Sequence, residues 1–195
     1  MLNLDPTSTA LVLIDLQDGI VNMNLSPRDG QTTVATGRAL AEKARASGVK
    51  VVLVHVGFAS DFADAPSHNV DARLPLPEGG LPAGWSDLVS DLRQEGDLVV
   101  YKRQWGAFTG TDLDLQLRRR GIRTIVLGGI ATNFGVESTL RHAWELGYDI
   151  VVPEDACTSA DANLHRMTIE HVFPRLARVV TASELSFEPV TSPAT

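Results

Sequence analysis

At 195 residues the chain fits one domain with a substantial buried core. Its composition, 44% hydrophobic and 21% charged, is that of an ordinary globular protein. A net charge of −7 disfavours a nucleic-acid or anionic-membrane surface, and the single cysteine, Cys157, excludes an intrachain disulfide.

The opening MLNLDPTSTA has neither a basic stretch nor a long apolar one, so no secretory signal is expected. No apolar run approaches the ~20 residues that span a bilayer. These features predict a cytoplasmic protein. Ala10–Ile14 reads as a buried strand ending at Asp15, and Thr33–Ser47 as a helix stopped by Gly48. Val51–Val56 reads as the second strand. Residues 57–84, rich in Gly, Pro, Asp and Ala, form a long irregular segment, the kind that is usually functional or mobile. Trp85–Gln94 reads as a short helix, and Leu98–Tyr101 as a third strand ending at Lys102.

Thr111 and Asp114 suggest a capping box for a helix through Arg120, with Gly121 as its stop. Arg118, Arg119 and Arg120 then fall at a helix C-terminus, where cations oppose the macrodipole. Arg123–Leu127 is the fourth strand. Val136–Leu146 has helical apolar spacing through Val136, Leu140, Ala143 and Trp144, and Gly147 follows. Asp149–Val152 is the fifth strand, Asp161–Leu176 a helix, and Arg178–Thr181 the sixth strand. The Pro/Ser/Thr-rich tail after Phe187 is expected to fray.

Apolar strands alternating with helices predict a three-layer α/β/α fold with a mainly parallel, six-stranded, Rossmann-like sheet. Ligands of such sheets bind beyond the carboxyl ends of the strands. That rule selects Asp15, Lys102 and the turn at 129–135. A carboxylate at a buried strand end is partly desolvated, which suits it to proton transfer. A lysine beside it can hold charge in place. A strand feeding a helix through a short turn aims backbone N–H groups at one point, a place for a developing oxyanion. Each feature alone reads as ordinary scaffold; the three in order are more specific.

IDLQ at 14–17, KRQWGAFTGT at 102–111 and GIATNFGV at 129–136 together resemble the isochorismatase-like hydrolase superfamily, many of whose members are cysteine hydrolases. The resemblance runs over roughly residues 8–185 and looks most like the YecD-type subgroup. It implies acid/base work by Asp15, support from Lys102, oxyanion contacts from the Ala131 and Gly135 amides, and a cis peptide between Ile130 and Ala131. Most members carry the nucleophilic cysteine where this chain has Gly135. Isochorismatases proper share that replacement and use the aspartate as a general acid on a vinyl ether. They also have a Gln near the end of the second strand, where this chain reads VHVGFAS.

Two functions follow from different classes. One is a cysteine-independent hydrolase of a small metabolite, cleaving a vinyl-ether C–O or an amide-type C–N bond. The other is a non-catalytic ligand-binding descendant. A third reading, an amidase using Cys157, would need a lowered thiol pKa and access to Asp15. Gln17 is placed as a polar partner of Asp15, and Trp105, Phe108 and Phe134 as substrate-lining residues, with Phe134 matching a pocket position of the superfamily. His55, Asp61, Asp64 and His68 do not have the D-x-H spacing of metal-binding members, so no metal and no cofactor are expected. His142, His165 and His171 read as surface or satisfied, partly buried residues. The resemblance also implies a homodimer or larger homo-oligomer.

Overall fold

The computed structural model of the chain describes residues 1–66, 69–72 and 76–189. The apolar runs become strands β1 (Leu2–Leu4), β2 (Thr9–Ile14), β3 (Lys50–Val56), β4 (Leu98–Lys102), β5 (Thr124–Ile130), β6 (Asp149–Pro153), β7 (Cys157–Thr158), β8 (Arg178–Val180) and β9 (Leu185–Phe187). The helices are α1 (Asp18–Val21), α2 (Gly30–Ala46), α3 (Leu113–Arg119), α4 (Glu137–Glu145) and α5 (Ala162–Met167). The main sheet runs β4-β3-β2-β5-β6-β8, with β7 added to β5, and every pairing in it is parallel.

The core has two halves because alternate side chains of a strand face opposite ways. Ala10, Val12 and Ile14 join Val52, Val54, Ile125 and Leu127 on the side covered by α3 and α4. Leu11 and Leu13 join Val51, Leu53 and Val126 on the side covered by α2. The expected three-layer parallel architecture is therefore present, and all six expected strands are found in it. β7 is additional. So is the small parallel sheet of β1 with β9, in which Leu185 and Phe187 pack on the α2 side. Its strands are three residues each, too short to show a periodicity.

The helices differ more from expectation. α2 starts at Gly30, three residues before the expected Thr33, because the Asp29 carboxylate caps it by accepting from Thr32 N–H at 2.7 Å. Trp85–Gln94 forms turns, not a helix. Its backbone is taken by neighbours: Leu88 bridges Gln17, Val89 N–H donates to Leu16 O, and Asp91 has a φ of 60°. The capping box at Thr111 and Asp114 does not form. Thr111 Oγ1 accepts from Leu113 N–H, while Asp114 accepts from Arg118 and Tyr148. The expected Val136–Leu146 helix opens as a π turn, Thr132–Val136, before α4. The expected Asp161–Leu176 helix is α5 followed by a π turn and a 3₁₀ turn that reaches Pro174. The tail expectation falls mostly on residues 190–195, outside the described residues.

Candidate active site

The site begins where β2 ends. Asp15 still donates its N–H to Val54 O at 2.8 Å, so it continues the sheet. Its φ is 55°, in a left-handed region where Asp is one of the few tolerated side chains. Strict alternation would send Asp15 to the side opposite Ile14. The left-handed backbone instead brings its carboxylate toward Lys102 and Gly135 on the Ile14 side.

Lys102 closes β4, opposite Val56 of β3. β3 separates it from β2, a span on the order of 10 Å that suits a fully extended lysine. Lys102 Nζ donates to Asp15 Oδ2 at 2.7 Å. Lys102 is 2% exposed and Asp15 4%. Burial pushes the Asp15 carboxyl up to about 6, against the charge and hydrogen bond of Lys102, which both lower it. Desolvation removes much of the Coulomb gain of such a pair. The outcome is a carboxylate that takes up a proton near pH 6, above the usual carboxylate range. Its other oxygen, Oδ1, is buried with no hydrogen-bond partner among the described residues.

β5 delivers the third element. Gly129 has a φ of 125°, and a Cβ on it would lie 2.1 Å from Ile14 O, so only glycine lets β5 come this close to β2. The Ile130–Ala131 peptide is cis. The π turn follows, closed by Val136 N–H on Ala131 O at 3.2 Å and Phe134 N–H on the same oxygen at 3.0 Å. A Cβ at Gly135 would lie 3.1 Å from Ile14 Cγ2 and 3.2 Å from Asp15 Oδ2. Any side chain at 135 would thus point at the carboxylate. The structure brings Asp15, Lys102 and Gly135 together from three strand ends.

The isochorismatase domain family matches residues 9–184. The chain belongs to the isochorismatase family. It is 50% identical over 186 residues to the uncharacterized isochorismatase family protein YecD of Escherichia coli O157:H7, covering 95% of this chain and 98% of that one. It is 35% identical over 179 residues to the ureidoacrylate amidohydrolase RutB of Agrobacterium fabrum, covering 80% and 78%. Among solved structures it resembles an isochorismatase family protein from Burkholderia thailandensis, with a TM-score of 0.88, 44% identity and coverage of 94% and 95%. It also resembles N-carbamoylsarcosine amidase from Thermoplasma acidophilum, with a TM-score of 0.72, 28% identity and coverage of 91% and 95%. The chain thus has an isochorismatase-family hydrolase fold.

The remaining expected site residues divide. Trp105 and Phe134 form an aromatic pair, ring centroids 4.8 Å apart, beside Gly135. They are 52% and 39% exposed, so they stand at an open surface. Phe108 does not join them: it is buried in the α4 half of the core against Tyr148 and His142. It lies on the inward side of the 102–111 loop, where apolar burial outweighs proximity in sequence. Gln17 does not partner Asp15. It is fully buried, donating from Nε2 to Val56 O and Trp85 O and accepting at Oε1 from Val56 N–H. A buried amide must find such partners, and here they tie β3 to the following loop.

Cys157 lies in β7, fully buried, its Sγ 3.7 Å from Pro153 O. Burial pushes its thiol up to about 12. His55 Nδ1 meets Ser86 O at 2.7 Å, Asp61 accepts from Ala63 N–H, and Asp64 accepts from Ala59 N–H and Arg103. His68 lies outside the described residues.

Sequence reasoning missed two threonines that hold the turn, Thr132 inside it and Thr139 on α4. Thr139 Oγ1 donates to Gly135 O at 2.7 Å and accepts from Ala107 N–H at 3.1 Å, joining the turn to the Lys102 loop. Its signal was a hydroxyl four residues after Gly135, beside Leu140 on the apolar face of the helix. Thr132, inside the turn, reaches His165.

Proposed function

We propose that this chain hydrolyses a small metabolite without a covalent cysteine intermediate. Asp15 moves the proton, Lys102 balances the charge on Asp15, and the amides of Ala131 and Gly135 receive developing negative charge. The observation that carries this reading is the face of Gly135. A Cβ placed on it would lie 3.2 Å from Asp15 Oδ2, yet glycine offers no nucleophile there, while the Asp15–Lys102 pair is complete. The open, buried Asp15 Oδ1 supports it, because leaving such an acceptor unmade costs about 1–3 kcal/mol unless a ligand uses it. The exposed Trp105–Phe134 pair gives an apolar wall for the substrate.

Two bond types suit these groups. In a vinyl ether, protonated Asp15 gives its proton to the alkene carbon and water adds to the resulting cation. In an amide-type bond, ionised Asp15 takes a proton from the attacking water while the turn amides hold the oxyanion. The named amidohydrolase relatives support the second and the missing thiol the first.

A panel of isochorismate, nicotinamide, amides, imides and carbamates tests the proposal, followed by a pH profile on whichever compound turns over. With the Asp15 carboxyl at about 6, kcat/KM falls as pH rises through about 6 if Asp15 is the acid. It falls as pH drops through about 6 if Asp15 is the base. A flat profile from about pH 5 to about pH 7 contradicts either role. Saturable binding across the panel without turnover would instead support the non-catalytic reading, which the missing side chain at Gly135 favours.

A further inference from the structure

Thr132 sits at the start of the π turn, fully buried, one residue after Ala131. Its Oγ1 donates to Thr158 O at 3.0 Å and lies 2.8 Å from His165 Nδ1. His165 is buried, and its Nε2 lies 2.9 Å from Glu154 Oε1. Glu154 in turn accepts two hydrogen bonds from Arg28 Nη2, at 2.8 and 2.7 Å. A continuous polar chain therefore runs from Arg28, a quarter exposed, through Glu154 and His165 to the buried turn.

The proton inventory gives this chain a direction. Desolvation would raise the Glu154 carboxyl, but the hydrogen bonds from Arg28 and His165 outweigh it and hold the carboxyl below its usual range. Glu154 is then an acceptor only, so His165 Nε2 carries a proton. With Nε2–H committed, Nδ1 is left to face the Thr132 hydroxyl. If Nδ1 donates, the single hydroxyl proton stays on Thr158 O; if Nδ1 accepts, that proton turns from Thr158 O to the ring; in both cases rotating the ring breaks its two contacts. The segment of Arg28 is itself fixed, since Thr158 Oγ1 donates to Arg28 O at 2.6 Å.

We infer that His165 is a positioning residue: anchored by Glu154 and Arg28, it grips the Thr132 hydroxyl and holds the Ala131–Gly135 turn against Asp15. The inference rests on the proposed function only for its consequence on turnover; the hold on the turn is a separate, physical claim.

The test uses Thr132→Val, which removes the hydroxyl at nearly constant shape, His165→Leu, and His165→Asn, whose amide falls near the place of Nδ1. The Phe134 and Val136 amides, both bonded to Ala131 O, report opening of the turn by hydrogen exchange. Thr132→Val and His165→Leu are expected to speed their exchange about three- to tenfold relative to the Leu127 amide of β5. His165→Asn is expected to restore part of that protection, and the double variant Thr132→Val, His165→Leu to open the turn no further than either single one. Nitrogen-15 shifts of His165 in the unsubstituted protein should show Nε2 protonated. With a turned-over substrate, kcat falls and KM stays within about twofold. Exchange at Phe134 and Val136 that changes only in step with Leu127, or a bare Nε2, overturns the inference. If no compound of the panel is turned over, the exchange result still decides it.

Discussion

Asp15→Asn is expected to lower turnover by about 10²–10⁴-fold, the usual worth of a positioned acid or base. The substitution keeps the shape of the side chain and leaves an amide oxygen to accept from Lys102 Nζ, which now sits 2.7 Å from Oδ2. What it removes is the proton that the proposed mechanism moves. Steady-state kinetics on the purified variant, with thermal unfolding as the control for folding, give the answer. Activity within a few-fold of the parent would mean that Asp15 only packs and pairs.

Lys102→Met is the second large effect, and it shows in stability as well as rate. Lys102 is buried, and the described residues give its ammonium no carboxylate partner besides Asp15. Breaking one side of a buried pair typically costs about 3–5 kcal/mol. Here the carboxyl can escape part of that cost by keeping its proton. In the parent, Asp15 binds its proton more tightly folded, at about 6, than at its ordinary 3.8. The stability this adds is complete below about 4 and is lost as pH rises through about 6. Without Lys102 the folded carboxyl moves higher still, and the loss extends into the neutral range. Denaturant unfolding should therefore find Lys102→Met close to the parent near pH 5 and about 3 kcal/mol weaker near pH 8. A deficit independent of pH would show that packing of the lysine stem, and not its charge, holds the site.

The sheet was legible in the sequence because its strands are short, apolar and bounded by helical patterns. Val51–Val56 and Arg123–Leu127 needed no tertiary information. The strand-end rule alone selected Asp15, Lys102 and the 129–135 turn, and the structure joins the first two at 2.7 Å. Helix boundaries were harder. The π turn at Thr132–Val136 has no periodic signature, since it is set by how β5 meets β2 at Gly129 and Ile14. Trp85–Gln94 reads as a short helix, but Leu88 and Val89 pair with Gln17 and Leu16, distant in sequence. Gln17 and Phe108 show the remaining gap. Both stand within motif segments, yet only the fold decides that one faces buried carbonyls and the other a core ring. His165 is the converse case: a lone histidine on a short helix, whose link to Thr132 spans 33 residues.

Hydrolysis without a thiol is tested in the cysteine-free protein. Cys157→Ala removes the one thiol of the chain from a position with a raised pKa and no exposure. Its turnover of a panel substrate is followed by kinetics, and its intact mass is recorded during turnover. Parental kcat and an unchanged protein mass are expected, because water attacks and Gly135 forms no acyl-enzyme. Loss of turnover in Cys157→Ala, or a substrate-derived mass increase on the parent at Cys157, would instead assign the chemistry to the thiol.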